Sequence, residues 1–287
     1  MTTSDAANSP GRWSDLERPP LAGGALERGL VTPGGLWSSV RVVQSTGSTN
    51  TDLAAAGPEL PEGAVLVAEE QNAGRGRLDR AWTAPARSGI FVSVLLKPGA
   101  AVPEERWAWL TLLAGVAASE ALSRTAGVAV ALKWPNDLLV DVEGEERKLG
   151  GILAERTVDG VVLGLGINVS LSAAELPVPG AGSLLLAKAE VTDRDPLLRS
   201  LLRSLERWYG RWREAAGDPI DSGLMEAYTA VCATLGREVR ADLPGGTQWR
   251  GTAEAVDSDG GLVVRAESGE RRVVGAGDVI HLRPAAD

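Results

Sequence analysis

Residues 128–170 read VAVALKWPNDLLVDVEGEERKLGGILAERTVDGVVLGLGINVS and decide the fold of this chain. They contain four runs of apolar and β-branched residues, each of strand length. Glu143-Gly144 and Asp159-Gly160 separate neighbouring runs, and such pairs are typical of tight hairpin turns. The stretch therefore predicts a sheet whose strands are mostly antiparallel.

Strands and helices are also predicted on the N-terminal side of this stretch. Three segments have the composition of strands: VRVVQ (40–44), AVLVAEEQ (64–71) and IFVSVLL (90–96). A short helix is predicted after the first of them, capped by Thr49 and ended by Gly57-Pro58. The pattern of residues 105–127 indicates a long helix that stops at Gly127 and packs across the sheet.

The C-terminal part predicts helices and then a separate small unit. Residues 193–234 carry leucines at helical spacing. After Gly236, five short strands with Gly-rich turns fall within about 50 residues, which favours a small barrel or sandwich. We therefore predict three regions: a flexible, Pro- and Gly-rich N-terminal arm (1–38), a main domain (39–235) and a C-terminal domain (236–287).

The composition narrows the classes of function. A net charge of −9 gives no general attraction for nucleic acid or anionic membranes. Cys232 and His281 are the single cysteine and the single histidine, so neither an internal disulfide nor a Cys/His metal cluster is expected. The N-terminus has no secretory signal, and no apolar run reaches the ~20 residues of a membrane span. We predict a cytoplasmic protein without DNA or membrane partners.

Positive charge is nevertheless concentrated in QNAGRGRLDRAW (71–82), a predicted loop that holds Arg75, Arg77 and Arg80. We call this segment the arginine loop. Alone, this segment fits a solvated turn. Four other polar segments also have structural explanations. They are GSTN (47–50) as a helix N-cap, KWPND (133–137) as a rigid hairpin, KLGGIL (148–153) as a β-bulge, and GLGIN (164–168) as a strand end.

The order of these five segments resembles that of the biotin protein ligases, which attach biotin to carboxylase carrier domains. The resemblance runs from about residue 40 to the C-terminus. It implies an α+β fold of the class II synthetase type, a mixed and mostly antiparallel sheet packed by helices, followed by a small SH3-like β-barrel. It also implies ATP-dependent formation of biotinyl-AMP and transfer of biotin to a lysine of a biotin carboxyl carrier domain.

The resemblance assigns the family's site residues to this chain position by position. The positions that meet biotin are Ser48, Thr49, Gln71, Gly74, Arg75 and Lys148. The positions around the nucleotide are Arg77, Trp82, Lys133, Asn136 and Asn168. The catalytic positions are Lys148, Arg75, Arg77 and Asp137. The last of these would orient the acceptor lysine or take its proton.

Physical chemistry agrees with this assignment. The carboxylate of biotin must attack the α-phosphorus of ATP, so positive side chains such as Arg75 and Lys148 are needed to bring two anions together. The mixed anhydride that forms is open to hydrolysis, and a Gly-rich loop that folds over it would exclude water. Mg²⁺ is expected with ATP, but the sequence does not identify its ligands.

Two alternative functions stay open. Lipoate ligases share this fold and its adenylation chemistry, but they usually carry a Gly-Gly run that leads into Val-x-His-Asp, whereas His281 lies far down this chain. A non-catalytic biotin-binding or carrier-docking protein is the other alternative. Mere binding of a neutral ring would not need Arg75, Arg77 and Lys148 together.

The sequence departs from the family pattern at two places. Members that repress transcription carry a winged helix-turn-helix, and the residues before Ser48 lack two clear amphipathic helices, so no DNA binding is expected. Asp79 stands where the family often has glycine before Arg-x-Trp. Because Asp tolerates left-handed backbone better than most residues, we expect the turn to survive.

Overall fold

The computed structural model describes residues 18–242, 248–275 and 278–281, which form two sheets and five α-helices. The larger sheet contains β1 (Ser39–Val43), β2 (Ala64–Ala68), β3 (Gly89–Leu96), β4 (Val130–Lys133), β5 (Asp137–Val142), β6 (Glu145–Arg156) and β7 (Val161–Asn168). The smaller sheet contains β8 (Glu238–Asp242), β9 (Gln248–Val256), β10 (Leu262–Arg265), β11 (Arg271–Val274) and β12 (Asp278–His281). The helices are α1 (Gly23–Leu30), α2 (Thr49–Ala56), α3 (Trp109–Ala126), α4 (Arg194–Glu214) and α5 (Leu224–Val231).

The larger sheet has the strand order β1-β2-β3-β7-β6-β5-β4. Its neighbouring strands are antiparallel except for the parallel pair β1 and β2. At the β5–β6 turn, Glu143 and Gly144 both have positive φ angles, 57° and 85°, as a two-residue hairpin turn of type I′ requires. The mixed, mostly antiparallel sheet predicted from residues 128–170 is confirmed.

Helices cover both faces of the central strands, which explains why every residue of β2 and β3 is buried. The main core joins one face of the sheet to α3 and α4, and a smaller cluster of Leu53, Leu66, Leu95 and Val162 joins the other face to α2. The long helix α3 ends at Gly127, which adopts a left-handed conformation with φ of 71° as predicted. Within the described part of the chain, no helix combines the length and apolarity that crossing a membrane requires.

The N-terminal segment is more ordered than its composition indicates. The prediction of a loose arm does not hold for residues 18–38, because α1 buries Leu26 and Leu30 and the following loop buries Trp37. The two leucines lie four residues apart, so they share one helix face and reach the core together. The rest of the predicted arm, residues 1–17, lies outside the described residues.

A buried ion pair holds the N-terminal segment, the end of β2 and the start of α4 together. Arg194 Nη1 lies 2.6 Å from Glu69 Oε2, and the two side chains are 4% and 2% exposed. Glu69 Oε1 accepts the Leu21 N–H at 2.6 Å. Arg194 Nη2 donates to the Pro19 carbonyl at 2.7 Å. Each charged group therefore has partners beyond the ion pair itself.

The smaller sheet has the order β11-β10-β9-β8-β12, and it meets the larger unit both through a shared apolar core and through polar groups. The five predicted strands are all present, but they form an open sheet rather than the closed barrel that the resemblance implied. Indole N–H groups donate to its β9–β10 turn, Trp134 to the Gly260 carbonyl at 3.0 Å and Trp109 to the Ser258 carbonyl at 2.8 Å. The predicted boundary near residue 235 falls between α5 and β8, and the three-region division stays a prediction.

His281 lies at the end of β12, against the segment that begins with Lys133. Its Nε2 is 3.0 Å from Thr234 Oγ1, which also accepts the Trp134 backbone N–H at 2.9 Å. Burial, together with the nearby positive charges of Lys133 and Arg237, lowers the pKa of His281 to about 4. The imidazole is therefore neutral at physiological pH.

Replacing Arg194 with methionine should lower the free energy of unfolding by about 3 to 5 kcal/mol, because the carboxylate of Glu69 would stay buried without its counter-charge. Arg124→Met is the matched control, since Arg124 pairs with Glu120 on the surface and its side chain is 55% exposed. We expect the control to cost at most about 1 kcal/mol. Guanidinium denaturation measures both values, and equal losses would contradict the prediction.

The pKa of His281 predicts a pH-dependent stability. The folded pKa of about 4 lies below the ordinary value of about 6.5, so between these pH values the unfolded chain binds more protons. Stability should therefore fall as the pH drops from 7 towards 4. His281→Gln should flatten this fall in the midpoint of thermal unfolding. Identical pH profiles for the two proteins would contradict the assigned burial of the imidazole.

Candidate active site

A cavity of about 450 Å³ opens above β6 and β7, and all five polar segments singled out in the sequence reach it. Eleven of the predicted site residues line it: Ser48, Thr49, Gln71, Arg75, Arg77, Trp82, Lys133, Asn136, Asp137, Lys148 and Asn168. Gly74 lies at the base of the arginine loop instead of on the cavity wall. A Cβ atom at Gly74 would lie 2.5 Å from the Trp82 carbonyl oxygen, so this position has no room for a side chain.

The polar end of the cavity is built on the N-terminus of α2. Ser48, not Thr49, is the N-cap residue, because Ser48 is extended and its Oγ accepts the Thr51 N–H at 3.5 Å. Thr49 is the first helical residue, and its backbone N–H donates to Gln71 Oε1 at 2.8 Å. The hydroxyl and amide side chains predicted to meet biotin are thus held side by side.

The arginine loop is closed at its base by backbone hydrogen bonds. The Trp82 N–H donates to the Gly74 carbonyl at 2.8 Å, and the Gly76 N–H donates to the Arg80 carbonyl at 2.7 Å. At its tip, Leu78 and Asp79 both have φ of 55°. Asp79 therefore adopts the left-handed backbone that was expected of it, and the turn survives the loss of glycine.

Trp82 returns from the loop and lies over the small residues of β6 and β7. A Cβ atom at Gly166 would lie 2.8 Å from the indole, and one at Gly151 would lie 3.6 Å from it. At Gly166 the neighbour is the Trp82 side chain, which forms part of the cavity wall.

Lys148 enters the cavity from an irregular point of β6. The β5–β6 register shifts between Leu138 and Leu139, so Leu149 bulges between the paired residues Lys148 and Gly150. The Nζ atom of Lys148 lies 2.6 Å from Asp137 Oδ1. It also lies 5.9 Å from the centroid of the Trp82 ring. The bulge expected in this segment is confirmed, and it aims the lysine into the cavity.

The opposite wall presents oriented amides. Arg77 Nη1 donates to Asn136 Oδ1 at 3.2 Å, and Asn136 Nδ2 donates to the Ile152 carbonyl at 2.9 Å. Asn168 is 3% exposed and donates from Nδ2 to the Gly182 carbonyl at 3.0 Å. These bonds fix which face of each amide can meet a bound molecule.

The charge of the cavity is opposite to that of the chain. Five cationic side chains line it: Arg75, Arg77, Arg80, Lys133 and Lys148. Among the described residues that line the cavity, Asp137 is the one carboxylate. In a chain with a net charge of −9, this concentration favours anionic ligands in the cavity.

Several residues of the site were missed by the sequence analysis. Asn50 is 4% exposed and lines the cavity, and Glu155 pairs with Arg75 just beyond its wall, at 3.1 Å. Val279 and Ile280 of the smaller sheet also line the cavity. Asn50 follows directly on Thr49, and Glu155 lies two residues beyond the quoted KLGGIL, so their places in the sequence were a usable signal.

Comparison with known proteins agrees with this geometry. The model of the Biotin/lipoate A/B protein ligase family matches residues 41–172, and that of the biotin protein ligase C-terminal domain matches residues 234–282. The biotin–[acetyl-CoA-carboxylase] ligase of Mycobacterium tuberculosis is 42% identical over 275 residues, covering 94% of this chain and 98% of that protein.

Solved structures give the same result. Biotin protein ligase from Aquifex aeolicus in complex with biotin and ATP is 27% identical, with a TM-score of 0.68, and the match covers 85% of this chain and 98% of that one. Biotin protein ligase from Leishmania major in complex with biotinyl-5-AMP is 25% identical, with a TM-score of 0.54, and the match covers 82% and 98%.

The fold and the cationic cavity define a ligase of the broad biotin/lipoate class. Within that class, two findings distinguish the biotin ligases from the lipoate ligases. They are the match to the C-terminal domain model and the 42% identity over nearly the whole chain. The chain belongs to the biotin protein ligase family. The family and fold predicted from the sequence are thereby confirmed, apart from the closure of the barrel.

The contact between Trp82 and Gly166 can be tested by a double-mutant cycle. Gly166→Ala should cost about 1 to 3 kcal/mol of unfolding free energy, because the added methyl group would displace the indole. In a Trp82→Ala background the same change should cost much less. Gly180→Ala is the control, since a Cβ there meets nothing within 4 Å. Additive effects in the cycle would contradict the packing described.

Proposed function

We propose that this chain activates biotin with ATP to form biotinyl-AMP and transfers the biotin to a lysine of a biotin carboxyl carrier domain. The observation on which the proposal rests is the cavity with five cationic side chains beside a cluster of hydroxyl and amide groups. One ligand with a neutral polar ring at one end and a carboxylate at the other fits both parts. The names of the similar proteins support the same ligand.

The ring of biotin is assigned to the polar end of the cavity. Its urea group has N–H donors and a carbonyl acceptor, and leaving one of them unpaired on burial would cost about 1 to 3 kcal/mol. Ser48, Thr49 and Gln71 supply short polar side chains there. Arg75 lies on the loop beside them, where the carboxylate at the other end of the ligand would meet it.

The first chemical step joins two anions. The carboxylate oxygen attacks the α-phosphorus, and pyrophosphate leaves, so negative charge increases at the phosphorus during the step. Arg75 and Lys148 are assigned to this charge, and Arg77 is assigned to the retention of the adenylate. Fixed cations stabilise such a transition state because they need no reorganisation as the reaction proceeds.

The nucleotide is assigned to the wall formed by Trp82, Lys133, Asn136 and Asn168. Trp82 supplies an aromatic surface, and the two amides are already oriented by backbone carbonyls. Bound Mg²⁺ would offset phosphate charge. The phosphates and water would supply most of its ligands, as is common for this ion.

The second step needs a neutral acceptor lysine, whose ordinary pKa is about 10.4. Asp137 is assigned to orient this amine or accept its proton. In the structure Asp137 Oδ1 lies 2.6 Å from Lys148 Nζ. The neutral amine attacks the carbonyl carbon of the adenylate and AMP leaves, so the adenylate has to form first.

The remaining assignments stay predictions. The smaller sheet contributes Val279 and Ile280 to the cavity, which supports a role for residues 236–287 in docking the carrier domain. A cytoplasmic location and the absence of DNA binding rest on the sequence alone.

The proposal is tested by ATP–pyrophosphate exchange with biotin and with lipoate in separate assays. We expect exchange with biotin only, followed by incorporation of biotin when a carrier domain is added. Exchange with lipoate would favour the alternative ligase. Binding of biotin without exchange would favour a non-catalytic protein.

Lys148→Ala should slow biotin-dependent exchange about a hundredfold, because an electrostatic group of this kind contributes on the order of 3 kcal/mol to the barrier. Lys188→Ala is the control, since the Lys188 side chain is 81% exposed and pairs only loosely with Glu143 at 3.9 Å. Near-normal exchange by the Lys148 variant would remove this lysine from the mechanism.

A further inference from the structure

The two ends of the proposed biotin site are joined by a network of side-chain hydrogen bonds, which is buried around Ser93 and exposed at Arg75. Arg75 Nη1 lies 3.1 Å from Glu155 Oε1, and the second oxygen, Oε2, accepts from Asn50 Nδ2 at 2.8 Å. Asn50 Oδ1 lies 2.6 Å from Ser93 Oγ, which lies 2.7 Å from Thr49 Oγ1. The network therefore runs from Arg75 on the loop to the Thr49 hydroxyl at the start of α2.

Burial makes the central part of this hydrogen-bond network costly to break. Thr49 and Asn50 are 4% exposed, and Ser93 is fully buried. A Cβ atom at Gly164 would lie only 2.0 Å from Asn50 Oδ1, so a glycine in β7 is required for the amide to reach its place. A buried polar group without its partner is costly, so Thr49, Asn50 and Ser93 are held in one arrangement.

The hydrogen-bond partners determine where the protons of this network lie. Asn50 Nδ2 faces two acceptors, the Leu153 carbonyl and Glu155, so its Oδ1 faces Ser93 and can only accept. The single proton of Ser93 therefore lies between Ser93 and Asn50. The 2.7 Å contact between Thr49 and Ser93 then requires the proton of Thr49.

The position of the Thr49 proton determines whether its hydroxyl can donate to a ligand or accept from it. Thr49 Oγ1 also lies 3.1 Å from Gln71 Oε1. The hydroxyls of Thr49 and Ser93 have two protons for three oxygen–oxygen contacts, so one contact has no proton. The contact with Gln71 is the longest of the three, and we therefore assign the protons to the other two. With its proton directed at Ser93, Thr49 Oγ1 presents lone pairs to the cavity. Its natural partner there is an N–H donor, such as the urea N–H of a biotin ring.

We infer that Asn50, Ser93 and Glu155 are positioning residues for biotin recognition, an inference that rests on the proposed function. Glu155 holds Arg75 where the ligand carboxylate arrives, and Ser93 and Asn50 hold Thr49 as an acceptor for the ring. The same hydrogen-bond network thereby orients the side chains at both ends of the site. None of the three needs to touch the ligand for this effect, although Asn50 lies on the cavity wall.

The experiment measures the affinity of each variant by calorimetry for two probes, biotin and biotinol, in which an alcohol replaces the carboxylate. Glu155→Gln should weaken biotin about tenfold and leave biotinol within about twofold, because Arg75 meets only the carboxylate. Ser93→Ala should weaken both probes equally, by about fivefold, since it acts at the ring. A general loss of structure could not produce this difference between probes.

Glu104→Gln is the matched control, because Glu104 also pairs with an arginine, Arg156, but its side chain is 70% exposed and it does not line the cavity. It should change neither affinity. Equal effects of Glu155→Gln on both probes, no effect, or tighter binding of biotin would each overturn the inference. If the unmodified chain bound neither probe, the proposed function itself would fail, and the inference with it.

Discussion

The ion pair between Glu69 and Arg194 is the interaction on which the arrangement of the site depends. Removing two charges from water costs several kcal/mol for each ion, so such a pair persists only where hydrogen bonds complete both groups. Here the backbone of residues 19–21 completes them, on both sides of the pair. Glu69 directly follows β2 and stands two residues before Gln71. The pair therefore fixes the point at which the strand ends and the arginine loop begins.

The cavity shows how an acidic chain can hold a local excess of positive charge. Its cations are not left bare, because Arg75, Arg77 and Lys148 are each bound to a carboxylate or an amide of the same chain. These partners orient the cations before any ligand enters, which is the form of preorganisation that makes electrostatic stabilisation effective. An incoming anion then exchanges with an internal partner that is already close by.

The sequence predicted those parts of the fold and site that depend on local signals. Turn pairs such as Glu143-Gly144 and a C-terminal glycine such as Gly127 act over a few residues, so the sheet and the long helix could be predicted. The packing of α1 could not, because its apolar face consists of few residues within a Pro- and Gly-rich segment. The link between Asn50 and Glu155 spans 105 residues, and no local pattern encodes such a partner.

The contribution of β12 to the cavity has a consequence for how this chain can vary through evolution. Val279 and Ile280 form part of the same wall as Trp134, whose indole binds the β9–β10 turn. Replacing the small sheet with one from another protein would therefore alter the cavity. The two matched regions therefore shape one cavity together, and exchange of either region alone would require the other to keep a matching surface.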